Sequence, residues 1–163
     1  MNAKDALRGA LKANHDILKM YLADLSDADL LVRPVPNANH IAWQLGHLIS
    51  AEARFQTMVP GGQPVELPAG FDKQHNKETA AAQAPAGFRT KQEYLDLFDR
   101  VRNATMAALD RVADADLDKP IEGQIARLAP NVGALFFLLA NHEMMHAGQF
   151  TVVRRKLGKP VLF

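Results

Sequence analysis

The chain has 163 residues, enough for one substantial core, and its 48% apolar and 23% charged residues are ordinary for a soluble globular protein. A net charge of +1 gives no global field that would favour nucleic acid or an acidic surface. The lack of cysteine excludes disulfides and thiolate ligands, so any metal site must use His, Asp or Glu, and any thiol chemistry must come from a bound substrate.

The first helix is expected over Ala3 to Ala23, where Leu7, Leu11, His15 (or Asn14), Leu18 and Leu22 recur at helical spacing and Asn2 can cap the start. Lys4, Asp5, Arg8, Lys12, Asp16 and Lys19 are scattered through the same stretch, which is not the pattern of a secretory signal. Arg33-Pro34-Val35-Pro36-Asn37 reads as extended, because each Pro pushes its predecessor away from helical angles. Asn37 or Asn39 can then cap a second helix over roughly 39 to 58, ended by Pro60-Gly61-Gly62.

From Pro60 to Phe88 the chain is rich in Pro and Gly and poor in pattern. A connection of this length is uncommon inside a compact domain. In a four-helix bundle it can cross the whole bundle, so that the second and third helices run parallel. Neither flank has enough apolar surface for a core of its own, so a single domain over residues 1–163 is expected.

Thr90-Lys91-Gln92-Glu93 is a capping box opening a third helix over roughly 91 to 113. Leu117, Ile121, Ile125 and Leu128, in the connection that follows, are expected to seal the end of the bundle. Asn131 caps the fourth helix, which runs without Pro to about Leu157, with Gly158 as a stop signal. The reading is all-α, four helices. The longest apolar run, Val132 to Ala140, is too short to span a bilayer, and a soluble, cytoplasmic protein is expected.

The fourth helix carries Asn141-His142-Glu143-Met144-Met145-His146-Ala147-Gly148-Gln149. Residues i and i+4 share a helix face about 6 Å apart, so His142 and His146 aim at one point. Two imidazoles on an apolar face point to a divalent metal more than to a pair of hydrogen-bonded core histidines. A third ligand is needed. His47, in the middle of the second helix, suits it, because mid-helix ligands from neighbouring helices meet in a bundle core. His40 lies about 10 Å from His47 along the axis, cannot share its ion, and reads as a rim residue. His75 reads as a solvated loop side chain, and the position of His15 stays open.

His142-Glu143-Met144-Met145-His146 also matches the His-Glu-x-x-His pattern of zinc proteases, in which Glu143 would be the general base. No Glu or His follows His146 to complete such a site, and no substrate-binding strand is evident. Glu143 and Gln149 are kept as candidate catalytic or orienting groups beside the metal, with helix-packing roles as the alternative. Gly148, costly inside a helix, suggests the close approach of a neighbouring helix. Trp43 reads as core, and Arg154 and Arg155 as a solvated helix end.

Asn39-His40-Ile41-Ala42-Trp43-Gln44-Leu45-Gly46-His47-Leu48, together with His142-Glu143-x-x-His146-Ala147-Gly148-Gln149 and the following Val153 to Pro160, resembles the DinB/YfiT-like superfamily. The resemblance implies a four-helix bundle of up-down-down-up order with a metal held by His47, His142 and His146. It implies nickel, zinc, iron or manganese as the metal, and a homodimer. It also implies thiol-dependent transferase or isomerase chemistry on a small-molecule substrate, with glutathione, mycothiol or bacillithiol as a low-molecular-weight thiol cosubstrate. A metal-dependent hydrolase and a non-catalytic metal-binding bundle are the alternatives. Imidazole must be neutral to coordinate, so metal affinity is expected to fall as pH drops toward and below about 6.5.

Overall fold

A computed structural model describes residues 1–80 and 87–162. Four long helices carry the chain: α1 (Ala3–Leu22), α2 (Ile41–Phe55), α4 (Lys91–Arg111) and α5 (Val132–Lys156). A single helical turn, α3 (Phe71–Gln74), lies within the long connection between α2 and α4.

Most helix starts follow from the local sequence. Asn2 accepts from the Asp5 N–H at 2.8 Å while the Asp5 carboxylate accepts from the Asn2 N–H. Thr90 and Glu93 form the same reciprocal pair on α4, and Asn131 accepts from the Ala134 N–H at 2.8 Å. A cap of this kind stabilises a helix by about 1 kcal/mol. The start of α2 departs from expectation. Neither Asn37 nor Asn39 caps it; Asn37 sits in the left-handed region at φ 66°. His40 takes the capping place, its Nδ1 accepting from the Trp43 N–H at 3.1 Å. α2 also gives way at Phe55 to a tighter turn over Gln56–Met58 rather than continuing as α-helix.

The order of the helices follows from which ends share a core. One apolar cluster joins Leu7 and Leu11 at the start of α1 to Phe55 at the end of α2, Leu109 at the end of α4 and Leu135 at the start of α5. The other joins Leu18 and Leu22 to Ile41, Leu45, Tyr94, Phe98, Phe150 and Val153, the opposite ends of the same four helices. So α1 and α5 point one way and α2 and α4 the other, an up-down-down-up bundle. Two consecutive parallel helices require a connection as long as the bundle, which residues 56–90 supply. Among the described residues, strand-like pairing is confined to one bridge, Pro120 with Asn131. Leu117 and Ile121 are buried at the end of the first cluster and Ile125 packs against it, whereas Leu128 is 71% exposed and seals nothing. No helix among the described residues is long and apolar enough to cross a membrane.

Between the clusters the bundle is polar. The Arg102 guanidinium, buried from α4, donates to Glu52 of α2 at 2.8 Å and to Glu143 of α5 at 2.9 Å, and also to the Leu11 carbonyl of α1 at 2.7 Å. Thr105 donates to the other Glu52 oxygen at 2.6 Å. His15 bridges Glu143 at 2.9 Å and Asp99 at 2.7 Å. Burial alone pulls His15 below its ordinary pKa, but its hydrogen bonds to Glu143 and Asp99 outweigh that and raise it. Arg102 therefore faces both Glu52 and Glu143 in the interior, and His15 faces Glu143. Arg154 is another buried cation and not the solvated helix end expected. It pairs with Asp24 and donates to the Tyr21 carbonyl at 2.9 Å, tying the end of α5 to the end of α1. Arg155 is exposed.

Removing one member of a buried ion network strands its partners without water. Arg102→Ala, which leaves Glu52 and Glu143 facing each other, is expected to lower the unfolding free energy by about 3–5 kcal/mol. Urea denaturation measures this, and a loss under about 1 kcal/mol would mean that the network relaxes onto solvent.

Candidate metal centre

His47 projects from the middle of α2 and His142 and His146 from the middle of α5. The ring centroids of His47 lie 5.2 Å from His142 and 5.5 Å from His146, and those of His142 and His146 lie 4.9 Å apart. One ligand atom from each of the three falls within 4.8 Å of the others, the only such group of metal-ligating side chains among the described residues. Two nitrogens each about 2.1 Å from one ion are at most about 4.2 Å apart. Small ring rotations thus separate this arrangement from a coordinating one.

The protonation of the rings suits a cation. Burial, then the neighbouring rings His142 and His47, pushes His146 down to about 3. Burial, then His47, pushes His142 down to about 4, and His47 is lowered by burial above all. The tautomer of His146 is set from outside. Its Nδ1–H donates to Gln44 Oε1 at 2.8 Å, which leaves Nε2 with its lone pair for a metal. The Gln44 amide cannot turn over freely, because its Nε2 donates to the Asn39 carbonyl at 2.9 Å. The His75 backbone lies beside His47 and favours its charged form, against the larger effect of burial, and the ring stacks on Trp43 with centroids 5.0 Å apart and planes 7° from parallel.

His75 is the largest departure from the sequence expectation. It is buried, not solvated. Its ring bonds the Phe71 carbonyl and the Tyr94 hydroxyl, both at 2.8 Å, and lies flat against Gly46. A Cβ at Gly46 would stand 2.1 Å from the ring, so only glycine fits there. The crossover is thereby seated on α2 one residue from His47, with the His75 backbone beside the His47 ring. His40, expected at the rim, is likewise buried, with its pKa lowered to about 4 by burial first and then by Arg33 and His75.

The two candidate groups beside the metal lie elsewhere. Glu143 is turned about 100° from His142, and its carboxylate is engaged by Arg102 and His15. Gln149 is exposed. The orienting amide is Gln44. Gly148 is also exposed, with nothing within 4 Å of an added Cβ, so no helix approaches there. A helix-interior Gly next to a candidate ligand, and a Gln one turn before it on an apolar helix, were the signals for Gly46 and Gln44.

A four-helix bundle with three convergent neutral imidazoles at mid-height defines the class of protein. Residues 10–150 match the profile of the DinB superfamily, and the chain belongs to that family. A conserved protein from Enterococcus faecalis superposes with a TM-score of 0.77 at 18% identity, covering 98% of this chain and 99% of its own. YfiT from Bacillus subtilis, described as a probable metal-dependent hydrolase with an unusual four-helix bundle topology, superposes with a TM-score of 0.68 at 16% identity, covering 96% and 89%. At these identities the likeness is one of fold. No curated protein matches the chain.

Protons compete with a metal for imidazole only below the pKa of the metal-free ring. With folded values near 4 and 3 for His142 and His146, metal retention is expected to stay level from about pH 7 to about pH 5 and to fall toward about pH 4. This replaces the fall near 6.5 expected from unperturbed imidazole. Because the unfolded rings protonate near 6.5, the metal-free fold should also lose stability as pH falls through that window. Dialysis against buffers of decreasing pH followed by elemental analysis measures retention; half-loss near 6.5 would contradict the burial of the rings. Separately, Gln44→Leu is expected to weaken metal binding by about 10–100-fold, read by competition with a chromophoric chelator. An unchanged affinity would remove Gln44 from the site.

Proposed function

We propose that the chain is a metal-dependent enzyme acting on a small molecule, with a divalent nickel, zinc, iron or manganese ion held by His47, His142 and His146. Thiol S-transfer or thiol-dependent isomerisation is its first candidate reaction. The observation that carries the enzymatic reading is the cleft beside the triad. His47 lines a cavity of about 940 Å³ between α2 and the crossover, within the size range of small-molecule sites. His142 and His146 are not among its lining residues, so a ligand in the cleft meets the triad from the His47 side. A bundle that used metal only as a structural staple would have no need of that opening.

Three neutral imidazoles leave the full charge of a bound divalent ion, which favours the thiolate form of a thiol cosubstrate. The choice of thiol chemistry rests on the neighbours of the triad. Among the described residues, the hydrogen-bond partner of these rings is an amide, and no carboxylate bonds them. A thiol, with an ordinary pKa near 8.5, needs only the cation to ionise, whereas water needs more help. The chain has no cysteine, so the thiol is a cosubstrate. Hydrolysis is the second reading. It is favoured by the description of YfiT and by Asp72 and Glu78, which line the same cleft and could accept a proton.

The test is turnover by protein loaded separately with each metal. Glutathione, mycothiol and bacillithiol are offered with model electrophiles, and an ester and amide panel is offered without thiol. Thiol-dependent product at a rate at least tenfold above the His47→Ala variant supports the first reading, and thiol-independent cleavage the second. No turnover in either arm would return the chain to the non-catalytic alternative.

A further inference from the structure

The cleft beside His47 carries an arrangement of side chains that the metal site does not use. His47, Ser50 and Arg54 stand at i, i+3 and i+7 on α2 and so share the face that forms the cleft wall. Across from them the crossover contributes Lys73 and Lys77, with Asp72 and Glu78. Arg54 is exposed, and among the described residues its guanidinium has no charged partner and lies against the face of the Phe55 ring, 5.2 Å from the centroid. No carboxylate lies within ion-pairing distance of Arg54, Lys73 or Lys77 among the described residues, although two acidic side chains line the same cleft. The charges felt at His47 are both positive, those of Arg54 and Lys77. Between His47 and Arg54, the Ser50 hydroxyl is shielded from solvent and has no hydrogen-bond partner among the described residues.

The Ser50 hydroxyl lies too deep for a ligand in the cleft to reach, but the unpaired guanidinium and ammonium groups around the cavity make a receptor for an acceptor-rich anion. Arg54 begins about 10 Å along the α2 axis from His47, and its side chain leans back toward the N-terminus of the helix, shortening that gap. We propose that Arg54, with Lys77, binds a carboxylate of the small-molecule ligand and thereby places the ligand's other end at His47. This deepens the enzymatic reading and rests on it for the reaction, but the anion site itself depends only on residues of the cleft. The carboxylate can belong to the thiol cosubstrate or to its reaction partner; both present the same two oxygens to the guanidinium.

The single tryptophan of the chain, Trp43, stacks on His47 and reports on a ligand arriving there. Its fluorescence is titrated in metal-free and metal-loaded protein with two probe pairs: glutathione against its diethyl ester, and succinate against succinamide. At least one anion is expected to bind at least tenfold more tightly than its carboxylate-blocked partner, and which pair discriminates identifies the source of the carboxylate. Arg54→Gln is expected to abolish that discrimination while leaving binding of the uncharged succinamide unchanged, and Arg54→Lys to restore part of it, since charge remains and the bidentate fork is lost. Lys77→Gln is expected to weaken anion binding by a smaller factor. Among the described residues the guanidinium of Arg54 has no folding partner beyond one ring face, so matched melting curves will show that the variant is folded. Equal binding of carboxylate and carboxylate-blocked probes, full discrimination in Arg54→Gln, or no saturable response to either anion would overturn the proposal. Anion binding that depends on Arg54 in metal-free protein, without turnover by loaded protein, would uphold the anion site and sink the enzymatic reading instead.

Discussion

Arg102 holds the middle of this bundle together, and the cost of burying it shapes what surrounds it. A guanidinium in a protein interior loses several kcal/mol of hydration unless carboxylates replace its water. Here Glu52 from α2 and Glu143 from α5 do so at 2.8 and 2.9 Å, and the Leu11 carbonyl of α1 takes a further N–H. One side chain thus ties α4 to all three other long helices. The apolar core is consequently split into two clusters, one toward each end of the bundle, with the charges between them.

The polar midsection and the histidine triad share one helix without sharing a face. On α5, successive residues are about 100° apart, so His142 turns toward α2 while Glu143 turns toward α1 and α4. This separation keeps the carboxylates away from the imidazoles. The rings stay neutral because they are buried without an anion beside them, whereas His15, wedged between two carboxylates, has its pKa raised. Histidines of one bundle are thus driven in opposite directions by what they face.

The crossover does more than connect. By laying the His75 ring on Gly46 it fixes its own path over α2, and it brings the His75 backbone beside one ring of the triad. The same segment walls the cleft with Lys73 and Lys77, so the connection that an up-down-down-up order requires also builds one side of the site.

Helix periodicity, caps and a Pro- and Gly-rich crossover were enough to read four helices from the residues alone, and the i, i+4 rule put His142 and His146 on one face. These features are local: they depend on angles and spacings within one turn of the chain. His75, His40 and Arg154, expected near solvent, are buried, and the close approach expected at Gly148 occurs at Gly46. The orienting amide expected at Gln149 is that of Gln44. Each difference concerns what lies opposite a residue, and the partner in each case comes from a different segment of the chain. Burial, tautomer and pKa are set by such partners, so only the packed structure decides them, while the spacing that lines up potential ligands is already written in the helix.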